Sequence, residues 1–249
     1  MHAFLVIPNS GVWDRVRNAN GTWGSSTHVD TNGTITQIAA AATPDGKIHL
    51  LDLVPGSGLW YRSRSATGSW DANATKIDTN GNISQIAMAS LPDGSMWDAA
   101  LVPGSGIWVR NRTAAGSWLD NSVHVDTTGS ITDVALAGLP DGTMHLFTLV
   151  PGYGTYEKTR SAAGVWAAND AHFDVNGGIS AISAGGAPDN TLRYTAMVPN
   201  SGLWYANRDA TTHVWSGSTH IDFNLNILDE YTVVAGDGTT HVGYIPNVS

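Results

Sequence analysis

Short runs of alternating hydrophobic and polar residues recur along this chain on a fixed period. The stretch Ile48 to Ser95 shows the pattern. His49-Leu50-Leu51-Asp52-Leu53-Val54 is a β-rich run closed by Pro55-Gly56-Ser57-Gly58. Leu59-Trp60-Tyr61-Arg62-Ser63-Arg64 follows and ends at Thr67-Gly68-Ser69. Thr75-Lys76-Ile77-Asp78 runs into Thr79-Asn80-Gly81, and Ile83 to Ala89 runs into Pro92-Asp93-Gly94. Asn-Gly and Asp-Gly tolerate positive φ and mark tight hairpins. Four short strands separated by such turns predict an all-β fold, and no stretch carries helical periodicity over a useful length.

The same grammar repeats five times. Its proline anchors are Pro8, Pro55, Pro103, Pro151, Pro199 and Pro246, spaced 47, 48, 48, 48 and 47 residues apart. Repeats of this length indicate a repeat architecture. Four antiparallel strands per unit predict a five-bladed β-propeller formed by residues 1–249 as one domain. The units are about 1–47, 48–95, 96–143, 144–191 and 192–240, with 241–249 as a closing strand. The predicted innermost strand is rich in small residues (Ala39 to Ala42, Ala87, Ala89, Ala135, Ala137, Ala184, Gly185), as a tight axis requires. The first and last segments, His2 to Pro8 and His241 to Pro246, are the same element of the repeat. The ring is therefore expected to close by pairing of N- and C-terminal segments, which would also remove exposed sheet edges. An open β-solenoid is the alternative.

Charge narrows the partners. The formal net charge is -9 and only 13% of residues are charged, which argues against nucleic acid or an anionic membrane surface. No run approaches the roughly 20 apolar residues of a membrane span, so a soluble protein is expected. The first residues, MHAFLVIPNS, lack the basic and apolar regions of a signal peptide; cytoplasmic placement and release by another route both stay open. The absence of cysteine removes disulfide and thiolate chemistry.

Nine of the 12 Lys and Arg residues fall on one strand of the repeat. It reads Trp13-x-Arg15-x-Arg17, Trp60-x-Arg62-x-Arg64, Trp108-x-Arg110-x-Arg112, Tyr156-x-Lys158-x-Arg160 and Trp204-x-Ala206-x-Arg208. A period of two places the aromatic and both basic residues on one face. A flat ring beside fixed guanidinium donors suits a pyranose, whose C–H face packs on the ring while its hydroxyls accept hydrogen bonds. The competing reading is structural: the rings fill interblade space, and the arginines pair with Asp30, Asp78, Asp126, Asp174 and Asp222 of the following strand. The second arginine, present in all five units, is assigned to such bracing. The first basic position, lost at Ala206, is a ligand candidate. A second aromatic set, Trp23, Trp70, Trp118, Trp166 and Trp215, lies in or just after a loop, where it could meet ligand or plug the blade's outer corner.

The pairs His28-x-Asp30, His124-x-Asp126, His172-x-Asp174 and His220-x-Asp222 could offer metal ligands, but Lys76 takes the His slot in the second unit. An outer-strand hydrogen-bond network is the preferred reading, with no metal and no cofactor. The fifth unit departs with Asp229-Glu230, and Asp133 is equivalent to Asp229. Carboxylates converging on the axis would suit a glycoside hydrolase or lyase.

The order of strands and turns, and above all Trp70-Asp71-Ala72-Asn73-Ala74-Thr75-Lys76-Ile77-Asp78-Thr79-Asn80-Gly81, resembles the tachylectin-2 type of five-bladed propeller lectin. The Gly- and Trp-rich grammar is also similar to bacterial propeller lectins with more blades. The resemblance implies multivalent, non-catalytic binding of mono- or oligosaccharides on glycoconjugates, at repeated sites between blades. The residues expected to carry it are Trp13, Arg15, Trp23, Trp60, Arg62, Trp70, Trp108, Arg110, Trp118, Tyr156, Lys158, Trp166, Trp204 and Trp215. A protein-interaction propeller and the single-site hydrolase stay open beside it, as does oligomerisation.

Overall fold

The computed structural model describes residues 1–246 and contains only strands, turns and bends. The chain forms an all-β propeller of four-stranded antiparallel blades in five repeat units. The N-terminal group is β1 (His2–Ile7), β2 (Gly11–Arg17) and β3 (Trp23–Asp30). The next blade runs β4 (Gln37–Ala42), β5 (Ile48–Val54), β6 (Gly58–Arg64) and β7 (Thr75–Asp78). It is followed by β8 (Gln85–Ser90), β9 (Met96–Val102), β10 (Gly106–Arg112) and β11 (Val123–Asp126). Then come β12 (Asp133–Gly138), β13 (Met144–Val150), β14 (Gly154–Arg160) and β15 (Ala171–Asp174). β16 (Ala181–Gly186), β17 (Leu192–Val198), β18 (Gly202–Arg208) and β19 (Thr219–Asp222) complete the fourth full sheet, and β20 (Ile227–Val234) pairs with β21 (Thr240–Pro246).

Each full blade thus begins with the inner strand that ends one sequence unit and takes its three outer strands from the next. The inner strands β4, β8, β12 and β16 lie side by side, followed by β20. Small residues allow this approach. A Cβ built on Gly138 would sit 2.1 Å from the Ser90 carbonyl oxygen, and one on Gly186 would sit 2.0 Å from that of Gly138.

Apolar clusters lie at the seams between successive blades. Leu101, Ile107 and Val109 pack with Val134, Leu136, Met144 and Leu146 of the following sheet. Phe147 and Leu149 pack likewise with Ile182, Leu192 and Tyr194.

Glycine at the Pro-Gly-Ser-Gly turn sets the entry to the third strand of each blade. Gly58 has φ 111°, and a Cβ there would lie 2.2 Å from the Asp78 carbonyl oxygen. Only glycine fits both the positive φ and this close backbone approach. The register slips between Leu59 and Trp60 at this point, a bulge that recurs in the other units.

The fifth unit is divided between the two ends of the chain. Both copies of the repeated terminal element are used: β21 pairs with β20, and β1 with β2. The two copies do not compete for one slot, and among the described residues no hydrogen-bonded ladder joins β20 to β1. Consistent with this, Ala40 on β4 is exposed, whereas Met88 and Leu136 at the equivalent position of the next two inner strands are buried. Tyr231 on β20 is 48% exposed.

Candidate functional site

The Trp-x-basic-x-Arg strand divides its side chains between the two ends of the interblade seam. Trp13, Trp60, Trp108 and Trp204 each donate the indole Nε1–H to the serine of the preceding turn (Ser10, Ser57, Ser105 and Ser201) at 3.0–3.3 Å. One face of the ring is covered by the neighbouring outer strand. Trp13 stacks on His28 and Trp108 on His124 at 4.2 Å between centroids, Tyr156 on His172 at 4.2 Å, and Trp204 on His220 at 4.5 Å. Those histidines donate Nε2–H to the carbonyls of Ser10, Ser105, Tyr153 and Ser201. This is the hydrogen-bond network expected for the His-x-Asp strand. At Trp60 the histidine is replaced by Lys76, whose ammonium sits 5.6 Å from the ring centroid.

The interblade brace involves different partners from those expected. It is the first basic residue, not the second, that reaches an aspartate, and the aspartate belongs to the preceding unit. Arg62 pairs with Asp30, and Arg110 with Asp78 at 2.5 Å. Lys158 differs: it donates to the Val125 carbonyl of the preceding unit at 2.8 Å but pairs with Asp170 of its own unit at 2.9 Å. The aspartate serves two ends at once: Asp30 Oδ1 accepts the Asn32 N–H at 2.7 Å, leaving Oδ2 for Arg62. Arg15, in the first unit and so without a preceding unit's aspartate, donates to the Gly24 carbonyl and lies 5.9 Å from the Trp23 ring. The second arginines turn toward the other end of the seam. Arg112 lies over Tyr61 at 5.4 Å, Arg160 over Trp97 at 4.5 Å, and Arg208 is 3.8 Å from Glu157.

The loop tryptophans fold back onto the preceding unit. Trp70 meets Phe4 edge-on, Trp118 meets Tyr61, Trp166 meets Trp97, and Trp215 packs among Phe147, Phe173 and Tyr194. Trp23 has no preceding unit and is 39% exposed.

Trp60 and Arg62 are brought together with residues that the repeat pattern alone did not select. A cleft of about 470 Å³ lies between the β1–β3 group and the β4–β7 blade. Its walls include Val29, Asp30, Asn32 and Ile35 from one side and Asp52, Val54, Trp60, Arg62 and Asn73 from the other. Asp52 is 1% exposed, and neither carboxylate oxygen has a hydrogen-bond partner. Burial, reinforced by the Asp30 charge and opposed by Arg62, pushes its pKa up to about 7. Arg62 is committed elsewhere: besides Asp30 it donates to the carbonyls of Val29 and Asp71, while its Nε–H lacks a partner. Sequence reading passed over Asp52, although it is the single acid in the strand Ile48–Val54 and is flanked by leucines. A second cleft of about 510 Å³ lies at the Pro-Asp-Gly end of the next seam but one, lined by Trp97, Asn111, Asp141 and Arg160 among others.

The carboxylates considered for hydrolysis are held by the scaffold. Asp133 accepts the Ile182 N–H at 2.8 Å and the Val134 N–H at 2.9 Å. Gln37 makes the same link to the Ile86 N–H in another blade, so Asp133 acts as a clamp between inner strands. Burial raises it to about 7. Glu230 is 7% exposed and accepts the Thr195 hydroxyl at 2.6 Å. Burial, with smaller contributions from Asp133 and Asp229, raises it to about 8, so it stays protonated at neutral pH. Among the described residues no group of three or more His, Cys, Asp or Glu side chains could hold a metal ion.

No protein-family model matches this chain, and no curated protein matches it. Solved structures do. The BP39L lectin from Burkholderia pseudomallei superposes over 100% of this chain and 78% of its own, with a TM-score of 0.69 at 14% identity. The six-bladed, fucose-recognising Aleuria aurantia lectin superposes over 100% and 91%, with a TM-score of 0.65 at 12% identity. A Hadza microbial sialidase, Hz136, superposes over 89% of this chain and 54% of its own, with a TM-score of 0.62 at 11% identity. At these identities the likeness shows the propeller fold.

Proposed function

We propose that this chain is a carbohydrate-binding protein that takes mono- or oligosaccharides in clefts between successive blades. The observation that carries the reading is the cleft at Trp60: an aromatic ring, an Arg62 held rigid by its brace, and a buried Asp52 with unfilled hydrogen-bonding capacity face one space. Such a mixture of apolar wall and a few fixed polar groups is what a sugar needs. Propeller lectins among the structural neighbours support the same reading.

Trp13, Trp108, Tyr156 and Trp204 repeat the position of Trp60, so related clefts along the other seams extend the proposal to several sites. Weak sites on one rigid body gain strength by avidity on a glycan-covered surface. Hydrolysis is less well supported: Asp133 is half-buried and Glu230 buried, both accept hydrogen bonds from the scaffold, and neither lines the cleft at Trp60. A glycan-array screen followed by titration calorimetry tests the proposal. We expect a sugar hit with more than one site per chain. An array with no hit, confirmed by calorimetry, refutes carbohydrate binding.

A further inference from the structure

We propose that the cleft between the β1–β3 group and the β4–β7 blade is a specialised subsite where the Asp52 carboxylate accepts hydrogen bonds from two hydroxyls of an uncharged sugar, and that it rejects anionic sugars. The inference rests on the carbohydrate-binding reading and adds to it which cleft discriminates and by what chemistry.

Asp52 is not part of the repeated scaffold. The equivalent positions hold Leu5, Ala100, Thr148, Ala196 and Gly243. A blade of this kind therefore folds with an apolar or small residue there, and Asp52 fulfils no shared structural need. The side chain is nonetheless almost completely buried, lines the cleft and is bonded to nothing. A buried acceptor without a donor is costly, and such groups call for a specific explanation. The nearest cation does not supply one, since Arg62 spends its guanidinium on Asp30 and two backbone carbonyls.

What remains open in the cleft is a pair of carboxylate acceptors and one unpartnered Nε–H donor. A sugar hydroxyl is both donor and acceptor, so vicinal hydroxyls complement this set. Val54, Ile35 and the Trp60 ring provide apolar wall for the C–H face. An anionic sugar would bring a third negative charge to a cleft that already holds Asp30 and Asp52 against the single guanidinium of Arg62.

Calorimetry at pH 7.5 with intact protein tests this, using neutral hexoses, deoxyhexoses and N-acetylhexosamines against glucuronic and sialic acids. Wild type is compared with Asp52→Leu, Asp52→Asn and Trp60→Phe. Asp52→Leu should remove one site from the stoichiometry and leave the others unchanged. Asp52→Asn should weaken that site about tenfold or more. Trp60→Phe should weaken the same site, and the acids should not occupy it. Leucine stands at the equivalent position of the first unit, so loss of binding with a retained circular dichroism spectrum is a loss of ligand contact. Unchanged stoichiometry and affinity in Asp52→Leu, or an acidic sugar whose binding depends on Asp52, overturns the inference while the lectin reading survives. Failure of every sugar to bind wild type overturns both.

Discussion

Replacing Asp52 with asparagine should stabilise the protein, and the gain should depend on pH in a calculable way. The Asp52 carboxyl titrates at about 7 in the folded chain against an ordinary value of 3.8, because burial disfavours its ionised form. The folded state therefore holds a proton that the unfolded state has already released. Stability is greatest below the unfolded value and falls as pH rises toward 7. Each pH unit of such a shift corresponds to about 1.4 kcal/mol, so the full cost reaches about 4 kcal/mol at pH 8.5 and about 1 kcal/mol at pH 4.5. Asparagine has similar shape and never ionises. Asp52→Asn should thus gain about 3 kcal/mol relative to wild type between those two pH values, and less if water enters the cleft. Urea denaturation at both pH values, with coincident fluorescence and circular dichroism transitions, measures the difference. A gain equal at pH 4.5 and 8.5, or a destabilisation at pH 8.5, would refute the reasoning, since neither can arise from an unpaired buried carboxylate.

Other consequences are separable from this one. Arg110→Met breaks the interblade pair with Asp78 and leaves a half-buried carboxylate behind, so urea melts should show a loss of about 2–4 kcal/mol, with Arg110→Lys recovering part of it. Gly58→Ala combines a φ of 111° with a 2.2 Å approach to the Asp78 carbonyl oxygen, and should cost about 2 kcal/mol or more by the same assay; Gly56→Ala, at a φ of 73° and with open space around it, should cost less. Burial depresses the His49 imidazole to about 4, with Arg112 adding to the effect. The unfolded chain therefore takes up that proton first, and stability should fall as pH drops from about 6.5 toward 4; His49→Gln should flatten this part of the stability profile.

The period, the turn chemistry and the strand order were legible in the sequence because they are local. Asn-Gly and Asp-Gly turns and period-two strands declare themselves within ten residues. What the sequence did not show is which blade lies across each seam. The strand pattern put Arg62 and Arg64 on one face, but not that Arg62 meets Asp30 while Arg112 and Arg160, the counterparts of Arg64, reach Tyr61 and Trp97. Both are contacts between units, set by the stacking of blades rather than by any run of residues. The same holds for Trp118 and Trp166, which belong to loops by sequence and to the interblade core by packing. Asp52 left a readable trace. It is the charge in Leu50-Leu51-Asp52-Leu53-Val54, and aligning the six copies of that strand shows that no other copy has an acid there.

That asymmetry bears on how the repeat works. The brace changes along the chain: Arg62–Asp30 and Arg110–Asp78 join successive units, Lys158 pairs with Asp170 of its own unit, and Ala206 offers no cation. The strand position equivalent to Asp52 varies as well: alanine at 100, threonine at 148, alanine at 196. If the repeats served only to present identical weak sites, these positions would gain nothing from differing, and an unpaired buried carboxylate would be the least expected variant. Stability alone favours replacing it, as the pH argument above requires. A group kept against its own cost to folding is accounted for most simply by a ligand that satisfies it. On the carbohydrate-binding proposal, the propeller would combine two properties: repeated aromatic–cation seams that give several modest contacts, and one cleft whose unfilled acceptors set which sugar is retained.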